Sequence, residues 1–281
     1  MENLQKLIKY NILISAVVAI IGIVLFNLGI KHRASSFISG YTTYSMYLLP
    51  AFVFGTFHSK LFQKHFEIYI WQLAVSVIAT GIFLAMGRID ILIIVLIFIA
   101  AVIVKKISIK SALIICAFSA VIILLSLNNN SAEAESRASD LSTMSDRDII
   151  WAKALEIIDV HPILGYGPRT FGDIFTEQEK LADKQVGGWH SEYITIYIES
   201  GILGLLTFLV ITFLIYFYAY KAIWIKKLIG NELEMFIPSL LSITVIYISS
   251  TFSGFSTQPI ISVYFCFIFG IYSNVVFKAG R

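Results

Sequence analysis

Near the end of the one long polar stretch in this 281-residue chain, His190 precedes Ser191, and an apolar run follows that holds Glu199, Gly201 and Gly204. An imidazole at the wet edge of an apolar segment exchanges protons near neutral pH, so the chemistry open to it is general-base assistance of an attacking group. The same histidine beside Trp189 is also what an interfacial anchor in an aromatic belt looks like. Arg147 opens a helical pattern in the polar stretch, where a cation conflicts with the helix dipole. A bound anion at that helix start would remove the conflict, and so would local pairing with Asp146 or Asp148. Arg88 lies in Met86-Gly-Arg-Ile-Asp90, a tight junction between two apolar runs. A guanidinium there faces a polar cavity, snorkels to the surface or pairs with Asp90.

Glu199 falls nine residues beyond His190 and about half a turn round a helix from it, which predicts an intramembrane carboxyl that orders the helix below the site. His190, Ile194, Tyr197, Gly201 and Gly204 would share one helical face, with the glycines letting a neighbouring helix approach. Glu192, Tyr193, Arg169 and His161 are further candidates. Arg169 also reads as a solvated loop cation, and His161 before Pro162 as a helix-ending turn. Neither a Cys/His metal spacing nor a carboxylate ligand spacing is present, so no metal and no cofactor is expected. Cys116 and Cys266 lie in apolar runs, where free thiols usually act as small buried hydrophobes.

These residues need a membrane scaffold to hold them. Hydrophobic residues make up 58% of the chain and the mean hydropathy is +0.82, beyond what a soluble core requires. Eight apolar segments read as spans, roughly 10 to 30, 37 to 57, 67 to 86, 89 to 104, 110 to 127, 191 to 219, 235 to 252 and 258 to 277. The first is too long for a secretory signal, and Lys31-His32-Arg33 follows it where a cleavage site would be. With both termini in the cytoplasm, twelve basic residues fall inside and only Lys31, Arg33 and Arg88 in the short outer loops. The net charge of +3 thus reports topology, and no basic and aromatic patch points to nucleic acid. The fold class expected is an all-α polytopic bundle of about eight spans. It divides into an N-terminal bundle (1–127), an extracytoplasmic loop (128–189) and a C-terminal bundle (190–281).

That loop holds eleven of the eighteen acids and six of the twenty-one basic residues. Ser145-Asp146-Arg147-Asp148 matches a capping box, and Ile150, Ala154, Ile157 and Ile158 recur at helical spacing up to His161-Pro162. A short amphipathic helix against the outer face of the bundle is predicted. The turn-rich Pro162 through Phe171 follows, with Gly165 and Gly167 supplying a tight reversal. No internal repeat is apparent, which argues against a transporter built from inverted halves.

Taken in order, Gly87-Arg88, Arg147 through Trp151, His161-Pro-Ile-Leu-Gly-Tyr-Gly-Pro168, Phe171, and His190-Ser191 with Gly201 and Gly204 beyond it form a specific set. From about Arg88 to Gly204 the chain resembles the O-antigen ligase and O-antigen polymerase superfamily, which joins lipid-linked glycans outside the bacterial plasma membrane. Relatives usually have ten or more spans, and Gly87 stands where they have Ser. The resemblance implies that Arg88 and Arg147 grip the pyrophosphate of an undecaprenyl-pyrophosphate-linked oligosaccharide while His190 assists the hydroxyl of a glycan acceptor. Ser191, Glu199, Gly201, Gly204 and Arg169 would support them. A lipid diphosphate is already a good leaving group, so charge stabilisation by two arginines suffices without a metal, and in-line attack inverts the anomeric centre.

The reading is therefore a multi-pass plasma-membrane glycosyltransferase with an extracytoplasmic site, preferred as a repeat-unit polymerase for O-antigen or capsule. Ligation of the glycan to a lipid or cell-wall acceptor is the near alternative, and polysaccharide or lipid transport the distant one. Transport would need polar residues spread along several spans, whereas here they gather at one edge. Membrane lipid, a chain-length regulator and a flippase are the partners such a role brings.

Overall fold

A computed structural model describes residues 2–38, 40–62, 64–129, 147–175, 188–225 and 227–278. Among these residues the regular structure is wholly helical. The helices are α1 (Glu2–Asn27), α2 (Tyr41–Phe57), α3 (His65–Leu84), α4 (Arg88–Ile103), α5 (Ile109–Asn129), α6 (Arg147–Ile158), α7 (Phe171–Ile174), α8 (Glu192–Tyr220), α9 (Gly230–Ser249) and α10 (Pro259–Lys278). Each apolar segment becomes one helix because a backbone in hydrocarbon must satisfy its own amides and carbonyls locally. Six of the helices, α1, α3, α5, α8, α9 and α10, are long and apolar enough to cross a membrane. The other two expected spans, α2 with 17 residues and α4 with 16, fall short of that length.

The short α2 is the hub of the bundle, packing on α1, α3, α4, α9 and α10, with nearly every residue from Thr43 to Phe57 buried. By contrast α5 and α8 bury only 17% and 11% of their apolar windows, so they form its rim. Cys116 on α5 and Cys266 on α10 are free and exposed, a correction to the buried thiols expected.

The connections alternate between two ends. At one end Lys9 meets Glu67 at 3.0 Å, and Lys60 and Lys106 meet Glu234 at 2.7 and 3.5 Å. Ser59 there donates to the Lys106 carbonyl. At the other end the Ala34 amide donates to the Leu84 carbonyl, pinning the α1–α2 loop to the end of α3, and the Glu192 amide donates to the Ser250 carbonyl. Lys9, Lys60 and Lys106 thus lie at one end, while Arg33, Arg88 and Arg147, with Lys31, lie at the other.

α6 lies against α8 and buries Ile150, Ala154 and Ile158, the periodic residues read from the sequence. It stops before His161-Pro162, as a proline requires. The Ser145 capping box falls outside the described residues.

Candidate functional site

The site is built around a break in α8. Gly201 has φ 63° and ψ −167°, a combination essentially confined to glycine. A straight helix would join Ile198 to Ile202 and Glu199 to Leu203 through backbone hydrogen bonds. Here the loop Pro162–Gly167 inserts and takes over all four groups. Tyr166 N–H donates to the Ile198 carbonyl at 2.8 Å and Gly167 N–H to the Glu199 carbonyl at 2.9 Å. Ile202 N–H donates to the Pro162 carbonyl at 2.8 Å and Leu203 N–H to the Ile163 carbonyl at 3.5 Å. A Cβ at Gly201 would overlap the Ile163 carbonyl, and one at Gly165 would meet the Ile198 carbonyl. The break also folds Ser200 back onto Gly204, whose missing Cβ leaves it room. The two glycines therefore serve a broken helix and a docked loop, where sequence spacing predicts a face for another helix.

Glu199 belongs to the same joint. Its Oε1 accepts the Arg169 N–H at 2.9 Å, so it holds the far side of the loop. At 29 residues α8 is about 43 Å long, against about 30 Å of hydrocarbon core, so its first turns can stand clear of the membrane beside this loop. Arg169 takes part through its amide at φ 60°, and its side chain is exposed. His161 is exposed and lies edge-on to Tyr166, with ring centres 4.7 Å apart, which fits a turn residue.

His190 does not share the helical face expected for it, because α8 begins only at Glu192. Its φ of 51° is incompatible with helix, and Ser191 at the N-cap is extended. A non-glycine residue in the left-handed region costs energy and marks a place the surroundings over-determine. Those surroundings are clear. On one side Trp189 is 1% exposed, packs edge-on to Phe171 and Phe175, and accepts the Trp151 Nε1–H on its carbonyl at 3.0 Å. On the other, Ser191 is buried, and its carbonyl accepts both the amide and the hydroxyl of Thr195. Its own hydroxyl makes no capping hydrogen bond. Held between them, His190 is partly buried. Burial, and then the charge of Arg147, push its imidazole below the ordinary histidine range. It is therefore neutral at pH 7 and able to accept a proton.

Arg147 begins α6 and reaches the loop between α9 and α10. Its Nη2 donates to the Phe252 carbonyl at 3.2 Å, and its guanidinium lies 5.8 Å from the centre of the Phe252 ring. Its Nε is buried and has no hydrogen-bond partner among the described residues. Burial lowers its proton affinity; Arg88 and Arg33 act in the same direction, while Tyr41 and Asp90 oppose. Arg88 is exposed on the first turn of α4. Two residues on, the buried Asp90 accepts Ser45 Oγ–H of α2 and Ser249 Oγ–H of α9, each at 2.7 Å. That carboxylate joins α4 to α2 and α9.

The fold thus brings Arg88, Arg147 and His190 into one electrostatic neighbourhood. It also gives Glu192, one of the further candidates, a role that spacing does not reveal, and it adds Arg33. Glu192 is 0% exposed, and its Oε2 accepts the Phe255 and Ser256 amides at 2.7 and 3.2 Å. It thereby ties the start of α8 to the loop on which Arg147 rests. The only sequence signal for that role is a carboxylate placed at the very start of a long apolar run. Arg33, with its guanidinium 4.0 Å from the centre of the Tyr41 ring, is the other addition.

Compared with known families, residues 73–209 match the model of the O-antigen ligase family. That segment spans Arg88, Arg147, the Pro162–Gly167 loop, His190 and the Gly201 break, and leaves α1, α2, α9 and α10 outside. A search of curated proteins finds no match.

Proposed function

We propose that this membrane protein, of which residues 73–209 match the O-antigen ligase family, belongs with the enzymes of glycosyl transfer on lipid-linked oligosaccharide and polymerises surface-polysaccharide repeat units. In this reading the donor is an undecaprenyl-pyrophosphate-linked oligosaccharide and the acceptor a sugar hydroxyl. Arg88 and Arg147 hold the diphosphate, and His190 takes the hydroxyl proton as the oxygen attacks the anomeric carbon. The bond from that carbon to the diphosphate breaks in line, so configuration inverts and the lipid diphosphate departs with the bonding electrons. No metal enters this scheme. The site faces the extracytoplasmic side of the bacterial plasma membrane, supported by the gathering of lysines at the opposite end.

The observation that carries the proposal is His190 itself, held off the helix at positive φ and kept neutral by burial and Arg147. A base must be neutral to act and fixed in place to act well. The test is product chain length in membranes expressing wild type, His190→Ala or His161→Ala at equal levels. His190→Ala should insert normally, lower transfer by roughly a hundred- to ten-thousand-fold and accumulate lipid-linked single repeats. His161→Ala should stay near wild type. Full-length polymer from the His190 variant would refute the catalytic role.

A further inference from the structure

We propose that the cavity at the lysine end of the bundle, walled by α1, the turn after α2 and the start of α9, binds an anionic phosphate ligand, with His58 on its floor and Lys6, Lys9 and Lys60 round its mouth. The site lies at the end away from His190 and does not depend on the reaction proposed above. Its volume is about 380 Å³, within the range of small-molecule sites and well beyond what a bare ion needs. That size suits a phosphorylated headgroup or another phosphomonoester.

The floor distinguishes this cavity from an ordinary surface cleft. His58 closes α2, and its ring stacks on Phe54 with centres 6.1 Å apart and planes 10° apart, which fixes the plane of the imidazole. The residue is 5% exposed, yet its Nε2 has no hydrogen-bond partner among the described residues. Its backbone, by contrast, is satisfied, because the amide donates to the Phe54 carbonyl and the carbonyl accepts the Leu61 amide. A buried polar atom left unmatched is destabilising, and one that borders a cavity is matched when a ligand brings the partner. Burial, opposed by Glu234 and helped by Lys106, keeps the imidazole neutral at pH 7. It therefore has one N–H to offer a phosphate oxygen.

The walls supply the charge. Lys6 meets Glu2 at 2.7 Å, Lys9 meets Glu67 at 3.0 Å, and Lys60 and Lys106 share Glu234. These pairs hold four lysines and three glutamates, a surplus of one positive charge. The side chains of Lys6 and Lys60 are 60% and 73% exposed, so their pairings are weak and readily exchanged for a doubly charged phosphate. Lys9 stays lodged over the Phe62 ring, 5.0 Å from its centre. Tyr10, Ile14 and Val17, all exposed, continue the Lys6 face of α1 along the helix, a surface on which the chains of a phospholipid can lie.

The experiment uses the full-length protein in uncharged detergent, titrated with dihexanoyl phosphatidic acid, with glycerol phosphate, and with dihexanoyl phosphatidylcholine, whose phosphate is neutralised by its own ammonium. Binding is read by calorimetry and by melting temperature. The variants are His58→Phe, which keeps a ring to stack on Phe54 and loses the N–H, Lys60→Gln, and Lys110→Gln, an exposed lysine outside the cavity lining. Wild type should bind phosphatidic acid with a rise in melting temperature and leave phosphatidylcholine unbound. His58→Phe should weaken that binding about tenfold or more and Lys60→Gln about threefold or more, with Lys110→Gln unchanged. If His58→Phe melts below wild type, Lys60→Gln on its exposed side chain carries the test. Glycerol phosphate binding as tightly as the lipid assigns the site to a soluble phosphomonoester, and much weaker binding assigns it to a membrane lipid; both support the site. No binding of either phosphate by wild type overturns the proposal. So does wild-type affinity in Lys60→Gln and in a stably folded His58→Phe, or an equal loss in Lys110→Gln.

Discussion

Replacing Gly201 by Ala should undock the Pro162–Gly167 loop while leaving the bundle inserted. At φ 63° and ψ −167° an alanine costs about 1 to 3 kcal/mol in backbone strain. Its Cβ would also overlap the Ile163 carbonyl, so either the loop moves out or α8 straightens. Either outcome breaks the four backbone hydrogen bonds across the joint, each worth about 1 kcal/mol net. After some relaxation the docked state should lose about 3 kcal/mol or more, which is about a hundredfold or more in local opening. Hydrogen exchange followed by mass spectrometry reads this directly. The Tyr166 and Gly167 amides should lose protection by that factor, while peptides from α2 and α3 keep theirs. Gly172→Ala in the adjoining α7, whose new methyl meets nothing within 4 Å among the described residues, is the matched control. Polymer chain length should shorten with the loss of protection, because the loop and α8 together present His190. Wild-type protection in Gly201→Ala would show that the joint is not what holds the loop, and the account of the glycine pair would fall.

Other variants probe the arginines, the buried carboxylate and the opposite end of the bundle. Arg88→Lys and Arg147→Lys keep charge but lose the planar fork, so donor use should fall about tenfold or more at unchanged melting temperature, and turnover should survive excess chelator; normal kinetics in both would remove them from the site. Glu192→Ala leaves the buried Phe255 amide and the more exposed Ser256 amide without their acceptor and should cost about 2 to 4 kcal/mol, whereas Glu192→Gln keeps an acceptor and should cost less; equal melting temperatures for wild type and Glu192→Ala would refute the tie. Because the His190 base works in its neutral form and its proton affinity is depressed, the acid limb of the rate profile should lie below pH 6.5, and a limb above that value would contradict the burial argument. His58, buried at the foot of α2, is lowered to about 4 by burial, with Lys106 lowering it further and Glu234 opposing. Between pH of about 6.5 and about 4 the unfolded chain binds a proton the folded one refuses, so stability should drop by up to about 3 kcal/mol as pH falls through that window. His58→Gln should flatten that slope in melting curves.

The helices, their order and the loop helix were legible in the residues alone. An apolar run in lipid has one local way to satisfy its backbone, so the expected 67 to 86 and 89 to 104 became His65–Leu84 and Arg88–Ile103 within a few residues. Periodic Ile150, Ala154 and Ile158 likewise announced the buried face of α6. Counting basic residues loop by loop put Lys9, Lys60 and Lys106 at one end and Arg33 and Arg88 at the other, because each loop reports its own composition. Tertiary structure decided the rest. Helical spacing placed His190 on α8 and made its glycines a packing face, since periodicity assumes an unbroken helix; the inserted Pro162–Gly167 loop breaks it by offering better partners to four backbone groups. Asp90 joining Ser45 to Ser249, Glu192 holding Phe255 and Ser256, and Arg33 coming beside Arg88 and Arg147 are pairings between residues far apart in the chain. No local pattern encodes them, because they exist only once separate helices have packed side by side.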